Sequence, residues 1–306
     1  MKISVIGAGN VGATCAMRIL EAGFADITLL DIEESIAKGK AEDLMDAASL
    51  IGHGRQIIGT SDYKDTEKSD IVVITAGFAR KPGMTREELL SKNSSVVKGV
   101  TANLMKFSKN PIIIVVTNPL DIMTYIAYKE SGLDSKRVMG MAGCLDSSRM
   151  NLMVSRKMKR PLGGIEMLVL GTHGETMVPA ASQSEVDGKG LQEILPTDDI
   201  KEIVKRTKSR GAEIVSYLGK GSAYYAPSAG VFRMIKSIVD DKNEILPCSC
   251  MLNGEYGIDG IYLGVPAKLG KDGITEIVEL KLDKGEEELL EASSEAVRTQ
   301  IQSLTN

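Results

Sequence analysis

The sequence predicts an α/β fold, with an N-terminal doubly wound parallel sheet followed by a C-terminal mixed α+β unit. Three observations point there. Short β-branched runs alternate with amphipathic segments through the first half of the chain. Residues 71–75 and 112–117 are continuous apolar runs, as expected of strands covered on both faces. Near Gly140 to Gly143 the pattern changes to long helical stretches and then to short strands parted by Gly and Pro. The boundary falls between residues 143 and 144, dividing the 306 residues into 1–143 and 144–306.

Taken in order, residues 2–6 read as a strand and 11–22 as a helix closed by Gly23. Residues 27–31 form a second strand and 35–50 a second helix. The two apolar runs complete the parallel set, and right-handed crossovers follow. In the second half, 147–158 is helical, 167–170 is a strand, and 199–218 and 223–239 are long helices. Strands at 245–251, 260–265 and 275–280 suit antiparallel pairing, and a charged helix covers 285–301. No internal repeat or low-complexity linker is present, so the halves are expected to share an interface.

Composition excludes several classes. Thirty-seven basic and 41 acidic residues leave a net charge of −4, so no global basic field draws nucleic acid or an anionic membrane. An anionic small molecule must then be held by locally placed arginines. No apolar run approaches the length of a bilayer span, and the N-terminus lacks a signal-peptide pattern, which predicts a cytoplasmic protein. Cys15, Cys144, Cys248 and Cys250 form no CxxC motif and only two histidines exist, so buried free thiols are expected and no metal site.

The first strand runs into Gly7-Ala8-Gly9-Asn10-Val11-Gly12, a GxGxxG sequence that follows a strand and opens a helix. Gly7 permits the tight turn, Gly9 a close backbone approach to a pyrophosphate, and Gly12 close helix–strand packing. The helix N-terminus then faces the phosphates. Asp31 lies 19 residues after Gly12, where an acid accepts from the adenosine ribose, and Glu33 and Glu34 follow it. This acidic cluster repels a 2′-phosphate, so the Rossmann unit is expected to take NAD rather than NADP. A flavin or S-adenosylmethionine enzyme shares such a unit, so the motif leaves the chemistry open.

Four segments carry candidate chemistry. His173 stands between glycines at a strand end, whereas His53 reads as a surface loop residue. Asp146 and Arg149 are three apart and share a helix face, suiting either an ordinary ion pair or a histidine-fixing acid beside a carboxylate grip. Residues 76–86 form a Gly- and Pro-containing loop at the carboxyl end of a buried strand, carrying Arg80 and Arg86 and able to close as a lid. Asn118, in Val116-Thr117-Asn118-Pro119, ends another buried strand with an amide suited to a ribose or substrate oxygen.

The segments GAGNVGA, TAGFARKPGMTREELLSKN, VTNPLD, GCLDSSRMN and GTHGETMVP resemble, in that order, the lactate/malate dehydrogenase family over nearly the full length. Arg80 resembles the malate-specific members of the lactate dehydrogenase-like branch, where lactate dehydrogenases carry Gln. The resemblance implies that His173 exchanges a proton with the substrate hydroxyl and that Asp146 holds its ring. It implies that Arg149 clamps one carboxylate, Arg80 pairs with the second, and Arg86 covers the carbonyl oxygen. It further implies that residues 7–12, Asp31, Asn93, Val116, Thr117 and Asn118 contact NAD, with Asn118 also reaching the substrate. A dicarboxylate substrate, malate or oxaloacetate, and a homodimer or homotetramer follow, with the helix at 35–50 at an interface.

The chemistry agrees independently. Hydride leaves carbon only as the hydroxyl proton is taken, and an imidazole titrating near neutrality serves both directions. A guanidinium fork matches a carboxylate plane and keeps its charge in a closed site. Two rivals stand: a dehydrogenase for lactate or another 2-hydroxy acid, with residues 226–228 lining the pocket, and a non-catalytic NAD-binding protein on the same scaffold.

Overall fold

The computed structural model describes residues 1–52, 54–79, 83–219 and 221–305, the last without its side chain. His53 and Arg80 lie outside the described residues. β1 (Lys2–Ile6), α1 (Asn10–Glu21), β2 (Asp26–Leu30), α2 (Glu34–Ile51) and β3 (Ile57–Thr60) open the chain. β4 (Ile71–Ile74), α3 (Arg86–Phe107), β5 (Ile112–Val115), α4 (Leu120–Ser131), β6 (Val138–Gly140) and α5 (Gly143–Met158) follow. Next come β7 (Ile165–Glu166), β8 (Val169–Gly171), β9 (Met177–Pro179), β10 (Glu185–Val186), β11 (Lys189–Gly190) and α6 (Leu191–Ile194). The chain continues through α7 (Thr197–Leu218), α8 (Tyr225–Val239), β12 (Glu244–Asn253), β13 (Asp259–Gly270), β14 (Gly273–Ile277) and α9 (Lys284–Thr305).

The strands β3-β2-β1-β4-β5-β6 are parallel, and the same sheet continues antiparallel through β12, β13, β8 and β9. Every residue of β4 and β5 is at most 2% exposed, which is why these runs carry no polar alternation. Each such side chain contributes roughly 1.5–3 kcal/mol by leaving water. α1 buries Gly12, Cys15, Ala16, Ile19 and Leu20, one stripe at helical spacing. Strand order reverses between β1 and β4, which opens a crevice at their carboxyl ends. Cys248 and Cys250 share the buried face of β12 as free thiols, their Sγ atoms 3.5 Å apart. Among the described residues, no helix is long and apolar enough to cross a membrane.

Two elements near the site differ from expectation. α5 begins at Gly143 rather than residue 147, because the Ala142 carbonyl already accepts from Leu145 and Asp146. The expected strand at 167–170 is interrupted. The Met167 N–H donates to Asn151 Oδ1 and the Leu168 N–H to Ser184 Oγ, so side chains replace the ladder partners there. Only Val169–Gly171 joins the main sheet, and it ends two residues before His173.

Candidate active site

The glycine turn is shaped by crowding below and space above. A Cβ on Gly12 would lie 1.9 Å from the Gly7 carbonyl oxygen, and one on Gly7, whose φ is +107°, would lie 2.7 Å from the Ala76 nitrogen. The turn thus packs directly on the end of β4, at the crevice. Nothing lies within 4 Å of a Cβ built on Gly9, and Gly9 is the N-cap of α1 with no side chain bonded to the helix end. Gly9 and Asn10 are exposed and Val11 half-buried, so an uncapped, positive helix end faces open space. These features fit a pyrophosphate.

Ala8 sits differently. It is fully buried, its N–H donates to Asp31 Oδ2 at 2.6 Å, and its carbonyl accepts from Lys40 Nζ at 2.6 Å. Ala8 therefore shapes the cradle, and both of its backbone polar groups have protein partners. Asp31 also accepts from the Glu33 N–H through Oδ1 at 3.1 Å. Its carboxylate braces the glycine turn from the end of β2, and each oxygen keeps a lone pair for a ribose hydroxyl.

The loops after β4 and β5 are tied together beneath the crevice. Asn93 is fully buried on α3; its Oδ1 accepts from the Phe78 N–H at 2.7 Å. Its Nδ2 donates to the Phe78 carbonyl at 3.1 Å and to the Asn118 carbonyl at 2.6 Å. Both amide N–H groups are thereby engaged, so Asn93 holds two loops in register. Thr117 is likewise turned inward, donating to the Ala76 carbonyl at 2.8 Å. Val116 is half-buried, while Asn118 is exposed before a cis bond to Pro119, and its amide makes no hydrogen bond among the described residues.

Asp146, His173 and Arg149 converge. Asp146 is 1% exposed; its Oδ2 meets His173 Nδ1 at 2.7 Å and its Oδ1 accepts from Arg149 Nη1 at 3.2 Å. An acceptor-only carboxylate assigns the proton to Nδ1 and leaves Nε2 as the outward nitrogen. Burial opposes the imidazolium, but the Asp146 charge and hydrogen bond outweigh it. Arg149 opposes and Asp121 favours the charged ring, and His173 is held above its ordinary value. Burial lowers Arg149, with Asp146 acting against the shift. Arg149 Nε is buried with no hydrogen-bond partner among the described residues, so this guanidinium has unused donors.

Arg86 opens α3, whose N-cap Thr85 and third residue Glu88 form a reciprocal capping box. A cation in a first turn works against the helix dipole, and Glu87 and Glu88 compensate. Such a placement points to function rather than stability. Arg86 is exposed and donates to Glu175 at 2.6 Å, which raises its pKa. Exposed pairs of this kind exchange partners readily. Of residues 226–228, at the start of α8, Ala226 is exposed and Pro227 is buried. Ser228 is fully buried, accepting from Arg18 Nε at 3.2 Å and donating to the Tyr225 carbonyl.

Two participants in this geometry, Glu175 and Asp121, enter the sequence reading only as letters of quoted segments and are assigned no role there. Asp121 is 4% exposed on α4 and accepts from Ser249 Oγ at 2.7 Å and from the His173 N–H at 3.3 Å. A lone acid in the apolar run after Asn118 was the available hint.

Comparison with known proteins agrees in both halves. A model of the lactate/malate dehydrogenase NAD-binding domain matches residues 1–140, and one of the lactate/malate dehydrogenase alpha/beta C-terminal domain matches 144–306. A malate dehydrogenase of Chlorobium limicola is 50% identical over 305 residues, covering 99% of this chain and 98% of its own. One from Methanosarcina barkeri is 48% identical over 303 residues, covering 99% of each chain. The malate dehydrogenase structure from Salinibacter ruber aligns with a TM-score of 0.95 at 40% identity, covering 100% of this chain and 98% of that one. A lactate dehydrogenase of Cryptosporidium parvum, solved with lactic acid and nicotinamide adenine dinucleotide, aligns with a TM-score of 0.96 at 38% identity over 100% and 98% of the two chains. With the nucleotide cradle, the buried His–Asp–Arg group and full-length matches in agreement, the chain belongs to the lactate/malate dehydrogenase family.

Proposed function

We propose that this chain is an NAD-dependent malate dehydrogenase, interconverting (S)-malate and oxaloacetate. The single observation that carries the reading is the buried Asp146 carboxylate shared by His173 and Arg149. NAD, when bound, supplies the hydride acceptor. His173 takes the hydroxyl proton through Nε2 as malate is oxidised and returns it to the carbonyl oxygen in reduction. Asp146 holds the tautomer and stabilises the imidazolium. Arg149 pairs with the carboxylate beside the reacting carbon through donors that the protein leaves unused. Arg86 leaves Glu175 to cover the carbonyl oxygen as negative charge develops there. Arg80 pairs with the far carboxylate, and Asn118 orients cofactor and substrate. Gly7 to Gly12, Asp31, Asn93, Val116 and Thr117 form the cofactor cradle, some by contact and some, as Asn93, by bracing it.

Residues 1–143 act in this reading as the cofactor unit and 144–306 as the substrate unit. Following NADH oxidation at 340 nm with oxaloacetate and with pyruvate tests the substrate. Oxaloacetate is expected to win in kcat/KM by orders of magnitude. Comparable rates would keep the hydride chemistry and transfer the reading to lactate or another 2-hydroxy acid.

The protein works in this reading as a cytoplasmic homodimer or homotetramer. Exposed apolar residues on α2, Ile36, Leu50 and Ile51, support that assembly, since such side chains gather where surfaces are covered. Light scattering should give at least twice the chain mass, and a monomer at micromolar concentration would remove the assembly from the proposal.

A further inference from the structure

His173 is flanked by a second buried carboxylate besides Asp146. Asp121 approaches from α4, the helix that starts directly after Asn118 and Pro119. Its Oδ1 accepts from Ser249 Oγ on β12 at 2.7 Å, and its Oδ2 accepts from the His173 N–H at 3.3 Å. One side chain therefore joins the helix behind the cofactor loop, the antiparallel strand β12, and the peptide that bears the imidazole.

Burying a lone acid costs stability, and among the described residues no basic side chain is in hydrogen-bond contact with Asp121. Burial pushes Asp121 up to about 6, with Ser249, the His173 peptide and the His173 ring each acting in the opposite direction. At neutral pH and above it is therefore charged, beside a ring whose protonated form it favours. The charged groups around the imidazole are Asp146 and Arg149 from α5 and Asp121 from α4, with Arg210 of α7 near Arg149. Arg86 and Glu175 form an exposed pair at the rim. Among the described residues, α9 and β12 bring hydroxyls to this group, Ser293 bonded to the Thr172 N–H and Ser249 bonded to Asp121.

We propose that Asp121 is a positioning residue for the proton transfer: it fixes the His173 peptide against β12 and, as a second carboxylate, sustains the imidazolium that Asp146 stabilises. The same carboxylate links the site to the cofactor loop through α4. The inference rests on His173 being the proton-exchanging group.

Asp121→Asn keeps the shape and removes the charge. The chain contains only two histidines, so imidazole proton resonances are few, and the one missing from His173→Asn identifies His173. In Asp121→Asn the His173 titration midpoint is expected to move to lower pH. The alkaline fall in oxaloacetate reduction should move with it, and kcat/KM at pH 8 should drop roughly tenfold, the scale of one charge at a partly buried site. NADH binding should be unchanged.

Stability separates this from a folding role. The folded pKa of Asp121 lies above the ordinary 3.8, so its stabilising contribution is present below about that value and lost as pH rises through about 6. Asparagine has no charge to bury, so Asp121→Asn should melt no lower than the parent at pH 8. A variant that fails to fold there overturns the proposal, as does an unmoved His173 midpoint. Ser249→Ala, which removes the anchor and keeps the acid, should move the midpoint in the same direction, and no movement in it also counts against the proposal. The resonance reports the imidazole whether or not turnover occurs. Full activity in His173→Asn would therefore sink the catalytic reading while leaving the Asp121–His173 coupling to stand or fall separately.

Discussion

Replacing His173 by Asn is expected to lower kcat for oxaloacetate reduction by about 10²- to 10⁴-fold while NADH still binds. The asparagine amide can keep a hydrogen bond to Asp146 but cannot carry the proton. The parent should show kcat/KM for reduction falling on the alkaline side and for malate oxidation on the acid side, with one shared midpoint. That midpoint should lie above the ordinary histidine value of 6.5, because Asp146 outweighs burial. For stability the sign is the same. A histidine raised in the fold contributes stability present below about 6.5 and lost as pH rises through its folded pKa. In His173→Asn the shared midpoint should vanish from whatever activity remains. NADH fluorescence titration distinguishes the alternatives: loss of cofactor binding would mark His173 as structural.

Replacing Arg80 by Gln is expected to reverse the substrate preference. In the proposed reading Arg80 pairs with the far carboxylate of oxaloacetate; pyruvate offers no such group, and a site that leaves a polar group unpaired rejects the wrong substrate by up to roughly 10⁴- to 10⁵-fold. Glutamine removes the unpaired charge for pyruvate and the ion pair for oxaloacetate together, so both changes move the ratio one way. In sequence Arg80 falls between two anchored points, Phe78, held by Asn93, and Thr85, the cap of α3. The ratio of the two kcat/KM values is the measurement, and an unchanged ratio would place specificity elsewhere. Because Asp146, His173 and Arg149 are untouched, the proton transfer and the clamp on the near carboxylate should persist with pyruvate.

The first half was legible because its signals are local. Four consecutive apolar residues in β4 and in β5, each run short and flanked by turn residues, suit a strand covered on both faces, and a GxGxxG after a strand suits a tight turn into a helix. The interruption at Met167 and Leu168 was not legible. It depends on Asn151 and Ser184, which are distant in sequence and reach in to take those two N–H groups.

For the site, residue types were written in the sequence and partners were not. Asp31 and Asn93 could be named as polar groups of a cofactor motif. Whether a carboxylate or an amide faces a ligand or a neighbouring peptide depends on what packing leaves beside it, and here packing supplied the Ala8 and Phe78 peptides. The sequence by itself determined the parallel half, the glycine cradle and the choice of His173, Asp146, Arg149 and Asn118 as candidates. Only the tertiary structure decided that residues 27 and 52 positions away from His173 would both turn a buried carboxylate toward it. Periodicity reports which face of an element is covered; which elements meet across that face is set by strand order and by the closing of one sheet over long stretches of chain.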